Sequence, residues 1–209
     1  MNRLARALVA LTLTAPAARA QDPSLAAKLD RPTLLAVTAI IDSARAQKLP
    51  TKPLRDKALE GAAKGSDGPK IIVAVHQLSI RMGSAKRALR PGAGTDEIKA
   101  AAGALDAGVS VHDLARLQAA AGKRPVTMSL AVLTDLIGRE VPIPTATDLV
   151  LQLERSGVKD GELSLFQRNV RADIDRGADP AAAATTRARG LVQRGGGAPT
   201  SPRSSGWAD

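Results

Sequence analysis

The sequence predicts an all-α protein, an array or bundle of about nine short helices, and three observations support this. Alanine, which has the highest helix propensity, occupies 40 of the 209 positions. Apolar residues recur at the spacing of one helical face, as Leu163, Phe166, Val170 and Ile174 do. No stretch alternates convincingly between apolar and polar residues, and the strand-favouring aromatics are reduced to one Phe and one Trp.

The composition excludes several classes of protein. The chain has no cysteine, which rules out disulfides, cysteine-ligated metals and thiol catalysis. Two aromatic rings are too few for recognition of nucleic acid bases by stacking. The length suits one domain with a sizeable core, or two small domains.

Residues 1–20 have the pattern of a secretory signal peptide. Arg3 and Arg6 precede a short apolar run, and Ala18 and Ala20 occupy the small-residue positions of a cleavage site after Ala20. We therefore expect an exported protein, periplasmic or extracellular; the alternative is an uncleaved amphipathic first helix. Cleavage would remove three arginines and no acid, which lowers the net charge from +10 to +7. No later segment is apolar for long enough to span a membrane.

After a short N-terminal segment, 21–31, we expect a helical domain over 32–193. A recurring pattern divides it, in which an aliphatic residue is followed by four others and then by Leu. This pattern begins at Leu49, Val109 and Val158. It defines three divergent units of three helices. The expected helices cover 32–47, 53–64, 69–90, 96–107, 112–121, 125–138, 146–156, 161–176 and 180–193.

Glycine and proline mark where these helices end and begin. We call the chain segment at the start of each pattern, where one helix ends and the next begins, a corner. Gly108 and Gly157 immediately precede the aliphatic residue of two corners, at a position where a helix commonly ends in a left-handed residue. A glycine and then a proline separate the second and third helices of each unit, as Gly65 and Pro69 do. The repeat offsets are 60 and 49 residues, so divergent duplication and coincidence among short-looped helices both remain open.

Short polar residues provide candidate helix N-caps. Ser110 and Thr145 each precede an Asp by three residues, which resembles a capping box. Asp160 and Asp67 are expected to cap the helices that start near Gly161 and Pro69.

The segment 194–209 is rich in Gly, Pro and Ser, and we expect it to be disordered. It contains Trp207. Phe166 is therefore the only aromatic residue expected in the folded domain.

The sequence contains no recognisable catalytic, cofactor or metal motif. His76 and His112 lack a second histidine at helical spacing, so no helical metal pair exists. The loop from Arg90 to Thr95 precedes a helix and could hold an anion, but a plain interhelical loop is the simpler interpretation. We predict no catalytic residue, no cofactor and no metal.

The segment 57–65 is the most distinctive in the chain. Lys57, Glu60 and Lys64 have the spacing of intrahelical ion pairs. Gly61 lies inside the helix at a cost of about 1 kcal/mol relative to alanine. Either another helix crosses closely over Gly61, or a partner docks there. Lys57, Glu60, Gly61 and Lys64 form the predicted interaction surface, with a solvated charged helix face as the plainer alternative.

This segment carries the one resemblance. The run Lys-Ala-Leu-Glu-Gly-x-x-Lys-Gly at 57–65 resembles a motif of uncharacterised exported bacterial helical proteins. The stretch from Asn169 to Pro180 is similar to their C-terminal part. The resemblance implies an exported all-helical protein and no activity.

Three classes of function follow from these observations. The first is a non-enzymatic exported interaction or structural protein of the cell envelope, which binds another envelope protein or itself. The second is a basic module for nucleic acid or anionic envelope surfaces. Its basic residues, however, are interleaved with acids, and only Lys86, Arg87 and Arg90 form a local cluster, which argues against nucleic acid. The third is an enzyme without a linear motif.

Overall fold

The computed structural model describes residues 23–195, and this part of the chain is all-helical, with ten helices and no strand. The helices are α1 Pro23–Ala26, α2 Arg31–Ala46, α3 Lys52–Ala63, α4 Gly68–Ala88, α5 Thr95–Asp106, α6 Val111–Ala121, α7 Thr127–Gly138, α8 Ile143–Arg155, α9 Asp160–Asp175 and α10 Pro180–Gly195. The predicted fold class and all nine predicted helices are confirmed. The signal peptide, Trp207 and all but the first two residues of the predicted tail lie outside the described residues.

Two ends of the helical region differ from the prediction. The four-residue helix α1 was not expected, and it is anchored by Leu25, which is 1% exposed. At the other end α10 continues to Gly195, two residues into the predicted tail. There the Arg194 side chain donates to the carbonyl of Gly190 at 3.0 Å and completes the last turn.

The predicted N-caps are confirmed in part. The Ser110 hydroxyl accepts from the N–H of Asp113 at 3.0 Å, as expected. Asp67 occupies the N-cap of α4, although its side chain makes no capping bond. Thr145 is not a cap, because α8 already begins at Ile143, with prolines in the first turn where a missing N–H costs nothing. The prediction for Asp160 is wrong by one residue.

Lys159 is the N-cap of α9, and Asp160 is its first helical residue. A lysine side chain cannot accept a hydrogen bond from the helix N-terminus. Instead the Glu162 carboxylate accepts from the backbone N–H of Lys159 at 3.0 Å, which is the returning half of a capping box.

The three predicted corners share one geometry. At Leu49, Val109 and Val158 the backbone N–H bonds to the carbonyl five residues earlier, which closes a Schellman motif. All three aliphatic side chains are buried, and so are the leucines five residues later: Leu54, Leu114 and Leu163. At each corner the end of one helix and the start of the next therefore pack against the same core.

A fourth corner of this type was missed from sequence. Val141 bonds to the carbonyl of Leu136 and is buried, but Ala146 rather than Leu follows five residues later. The residue before the aliphatic is left-handed at every corner. Gly108 and Gly157 have φ of 97° and 70°, whereas Lys48 and Glu140 adopt 55° and 69° as non-glycine residues.

The helices form a continuous array. Each helix of the series α2, α4, α5, α7, α8, α10 contacts the next helix of that series. Helix α3 packs on α2 and α4, α6 on α4 and α8, and α9 on α7 and α10. The third helix of one unit thereby also contacts the first two helices of the next, since α4 contacts α5 and α6 while α7 contacts α8 and α9. The three predicted units share one core.

That core is aliphatic around a single ring. Phe166, the only aromatic of the described residues, is 2% exposed. Leu163 and Val170 on the same stripe of α9 are also buried, as the spacing predicts. Small alanines complete the core and let the helix axes approach closely.

Candidate functional site

The predicted interaction surface lies on α3 and is internally paired. Glu60 is exposed and forms ion pairs with Lys57, at 3.1 Å, and with Lys64. Hydrogen bonds from Lys64 and then from Lys57 lower the pKa of the Glu60 carboxyl below its ordinary value. The three charged side chains therefore stabilise one another along a single helix face.

Gly61 has a different role from these three side chains. A Cβ built on Gly61 would lie 2.8 Å from Cγ1 of Ile71 in α4. The close crossing of α4 thus explains why this helix tolerates glycine, and it is the first of the two explanations that the sequence allowed. Whether Lys57, Glu60 and Lys64 meet a partner remains a prediction.

The two histidines lie on different helices, 36 residues apart in sequence. His76 is exposed on α4, and His112 is exposed in the first turn of α6. Within residues 23–195, no three His, Asp or Glu side chains are grouped as a metal site would need. No helix in the same range is both long and apolar enough to cross a membrane.

A solvent-facing groove runs between α2 and α4, and we call it the first groove. It has a volume of about 470 Å³. Its walls are Ala39, Ile40, Ser43 and Gln47 of α2 and His76, Ser79, Ile80, Gly83 and Arg87 of α4. Ile80 is 55% exposed in this groove, which is a large fraction for an isoleucine. The two basic side chains of this groove, those of His76 and Arg87, both belong to α4.

A second groove lies between α5 and α7, with a volume of about 600 Å³. It is lined by Ala100, Gly103, Leu130, Ala131, Thr134, Asp135, Gly138 and Arg139. Its charges are already matched, because the Arg139 side chain donates to the Asp135 carboxylate at 3.0 Å. The remaining lining is small or apolar.

The two grooves correspond at six lining positions. On the first helix of each unit, Ile40 and Ser43 correspond to Ala100 and Gly103 at the offset of 60 residues that also separates Leu49 from Val109. On the third helix the offset is 55 residues, and it relates His76, Ser79, Ile80 and Gly83 to Ala131, Thr134, Asp135 and Gly138. The grooves are therefore one feature presented twice by successive units.

Glycines inside these groove helices have no internal packing reason. A Cβ on Gly103 or Gly138 would meet nothing within 4 Å, and one on Gly83 would make only ordinary contacts, the nearest at 3.6 Å. Gly83 and Gly103 are interior residues and each costs its helix about 1 kcal/mol relative to alanine, whereas Gly138 is the last residue of α7. Gly61, by contrast, is required by Ile71. Helix glycines were the only local sequence signal for the grooves, and it is not specific, because Gly190 in α10 is equally open and lines neither groove.

A basic cavity of about 560 Å³ lies at the C-terminal ends of α2 and α4. Four cationic side chains line it: Arg45, Lys48, Lys86 and Arg90. The remaining lining comes from the start of α3, from the loop before α5 and from Ile98. The cluster predicted from sequence is thus divided, since Lys86 and Arg90 line this cavity while Arg87 lines the first groove.

Two buried glutamates fix the loop between α6 and α7. Glu97 is 3% exposed; it accepts from the N–H of Val126 at 2.9 Å and pairs with Arg90 at 3.2 Å. Glu154 is also 3% exposed, and it pairs with Arg124 at 2.6 Å. Buried carboxylates are rarely found without such partners.

The same network orients α7. Ser129 in its first turn donates to the Glu154 carboxylate. Gln118 of α6 donates to the carbonyl of Gly122 at 2.9 Å, within the loop that precedes α7. Because Glu97 belongs to α5 and caps α7, it holds the two walls of the second groove in position. The sequence showed no sign of this arrangement.

No protein-family model matches the chain, and no curated protein or solved structure matches it either. The resemblance carried by the segment 57–65 remains a prediction.

Proposed function

We propose that this protein is a non-enzymatic, exported interaction module of the cell envelope that binds amphipathic helices of another envelope protein in its two grooves. The correspondence between the grooves is the observation that carries the proposal. A groove between two packed helices accepts a third helix by ordinary ridge-and-groove packing. Two equivalent grooves suit two helices of one partner, which increases avidity.

The empty space beside the groove glycines supports binding of a second protein in the second groove. Gly103 lowers the stability of α5 without serving internal packing, and the space beside both Gly103 and Gly138 is open, so a partner helix gains close backbone approach there. The sequence supports export through the signal-like residues 1–20.

Charge indicates one feature of the partner. Arg87 donates to the hydroxyl of Ser84 at 3.1 Å and has no salt bridge to a carboxylate among residues 23–195. An acidic residue on the partner helix would therefore be favoured at the Arg87 end of the first groove. The second groove, whose Asp135 and Arg139 already pair, requires only an apolar stripe.

Site-specific photo-cross-linking tests the proposal. A photoreactive residue at Ser43 or Ala131 should capture the same envelope protein, with the cross-links mapping to helices of that protein. The same residue at Ala119, which is exposed on α6, should not capture it. Cross-links to a second copy of this chain, or none from either groove, would overturn the proposal.

A matched set of glycine variants then tests the site. Gly103→Leu and Gly138→Leu should each weaken binding of the purified partner at least tenfold, because the side chain fills the groove. Gly190→Leu in α10 is the control, since a Cβ there also meets nothing within 4 Å but Gly190 lines neither groove. Equal affinities for all three variants would exclude the second groove as the binding site.

A further inference from the structure

The basic cavity concentrates positive charge from distant parts of the sequence. Arg45 pairs with Asp42, and Arg90 pairs with Glu97. Lys48 and Lys86 have no carboxylate partner among residues 23–195. No carboxylate lines the cavity itself, so two cationic charges are left without compensation at its wall.

Lys86 is held in place by neutral groups. Its ammonium donates to the carbonyls of Gln47 and Lys48 at 2.8 and 3.0 Å, beyond the end of α2. These bonds satisfy carbonyls that the helix end leaves free, but carbonyl oxygens do not neutralise a charge. The Lys86 charge is therefore fixed in position and available to an anion.

Two helix N-termini open into the same cavity. The N-caps of α3 and α5 are Thr51 and Gly94, and both line the cavity. Neither makes a side-chain capping bond, so the first N–H groups of α5 and the N–H groups of Lys52 and Leu54 in α3, on either side of Pro53, lack that partner. Free N–H groups and the helix dipole favour an anion at this position.

Lys48 lines the cavity from a corner position. It holds φ of 55° where Gly108 and Gly157 stand in two other corners and Glu140 stands in a third. Glycine adopts this left-handed conformation without a Cβ clash, so Lys48 can be replaced by glycine without loss of the fold.

We propose that the basic cavity is a binding site for a phosphate monoester. Lys48 and Lys86 supply the uncompensated charge, and the N-termini of α3 and α5 supply backbone donors. The volume of about 560 Å³ exceeds that of a phosphate group and lies in the range of small-molecule sites, so the cavity also accommodates part of the attached organic group. This site is separate from both grooves and does not depend on the proposed partner.

Two probes distinguish a free phosphate ester from a lipid headgroup. Calorimetry with phenyl phosphate at low ionic strength tests a soluble ligand, and sedimentation with phosphatidylcholine vesicles containing phosphatidic acid tests a headgroup. Both probes carry a phosphate monoester. Binding of either probe supports the site, and the probe that binds identifies the source.

Lys48→Gly is the decisive variant. It removes the cation and suits the left-handed backbone, so the protein should remain folded, with an unfolding temperature at or above that of the wild type. Binding should weaken at least tenfold. Lys86→Met should weaken binding to a similar extent, and Lys159→Gly is the control, since it makes the same side-chain and charge change in the third unit.

Two results would overturn the proposal. One is the failure of both probes to bind the wild-type protein. The other is binding that Lys48→Gly and Lys159→Gly weaken equally, because that would reflect overall charge rather than this cavity.

Discussion

The carboxylate of Glu97 in α5 caps α7 by accepting the backbone N–H of Val126 at 2.9 Å. The two residues are 29 positions apart, and the capping residue belongs to a different helix from the one it caps. The other oxygen of Glu97 pairs with Arg90. One buried side chain thus joins the end of α4, the start of α5 and the start of α7.

We expect Glu97→Ala to lower the free energy of unfolding by about 2 kcal/mol, because it leaves a half-buried guanidinium and a buried helix N–H without their carboxylate partner. Glu97→Gln should lose less, since an amide oxygen can still accept from Val126. Urea unfolding measures the difference. Glu60→Ala, which removes only exposed ion pairs, is the control; an equal loss there would contradict a special role for burial.

Glu140 is left-handed at the α7–α8 corner with φ of 69°. Glu140→Gly should raise the free energy of unfolding by about 1 kcal/mol, because glycine adopts this conformation without a Cβ clash. Gly157→Ala, at the equivalent corner with φ of 70°, should lower it by a similar amount. Thermal and denaturant unfolding of both variants would check the opposite signs.

Gly61 and Ile71 should be energetically coupled. Gly61→Ala gains helix propensity but places a methyl group 2.8 Å from Cγ1 of Ile71, and we expect a net loss of about 1–2 kcal/mol. In an Ile71→Ala background the same change should be neutral or stabilising. A double-mutant cycle measures the coupling, and additive effects would show that the crossing does not require glycine.

Asp173 joins α9 to α10 through Arg187, whose Nε and a terminal nitrogen lie 2.6 and 2.9 Å from the carboxylate oxygens. The hydrogen bonds from Arg187 lower the pKa of Asp173 below its ordinary value of 3.8. A lowered folded-state pKa gives stability that is present above the unfolded-state pKa and is lost as pH falls through the folded-state pKa.

We therefore expect Asp173→Asn to lose this pH-dependent stabilisation. The difference in stability between wild type and variant should be full above about pH 5 and should shrink as the pH falls below that value. Denaturant unfolding across this range provides the measurement. A difference that stays constant down to pH 2 would contradict the assignment.

The helices were predictable because their signals are local. The Leu49, Val109 and Val158 corners combine a helix end and a buried aliphatic within six residues, so the pattern is visible in sequence. The prediction that Thr145 is an N-cap was wrong for a related reason. Its spacing to Asp148 is that of a capping box, but prolines at the start of α8 fit equally well within the first turn and extend the helix by three residues.

The candidate sites depend on contacts between distant segments and were not predictable in the same way. Glu97 and Glu154 look like surface acids in sequence, because their partners lie about 25–30 residues away or in a different helix. The basic cavity joins Lys48 to Lys86 across 38 residues. Among the residues of the two grooves, Gly83, Gly103 and Gly138 carried a local signal, and interpreting them required the space around them.

Each of α4 and α7 belongs structurally to two units, and this shared membership sets the order in which the array can come apart. The middle unit is held from both sides, whereas the α2–α3 pair and the α9–α10 pair are each held from one side. Local unfolding should therefore begin at the two ends of the helical array and move inward. The backbone amide hydrogens of α5 and α7 should exchange with solvent last. The most protected pair of helices is then also the pair that forms the walls of the second groove.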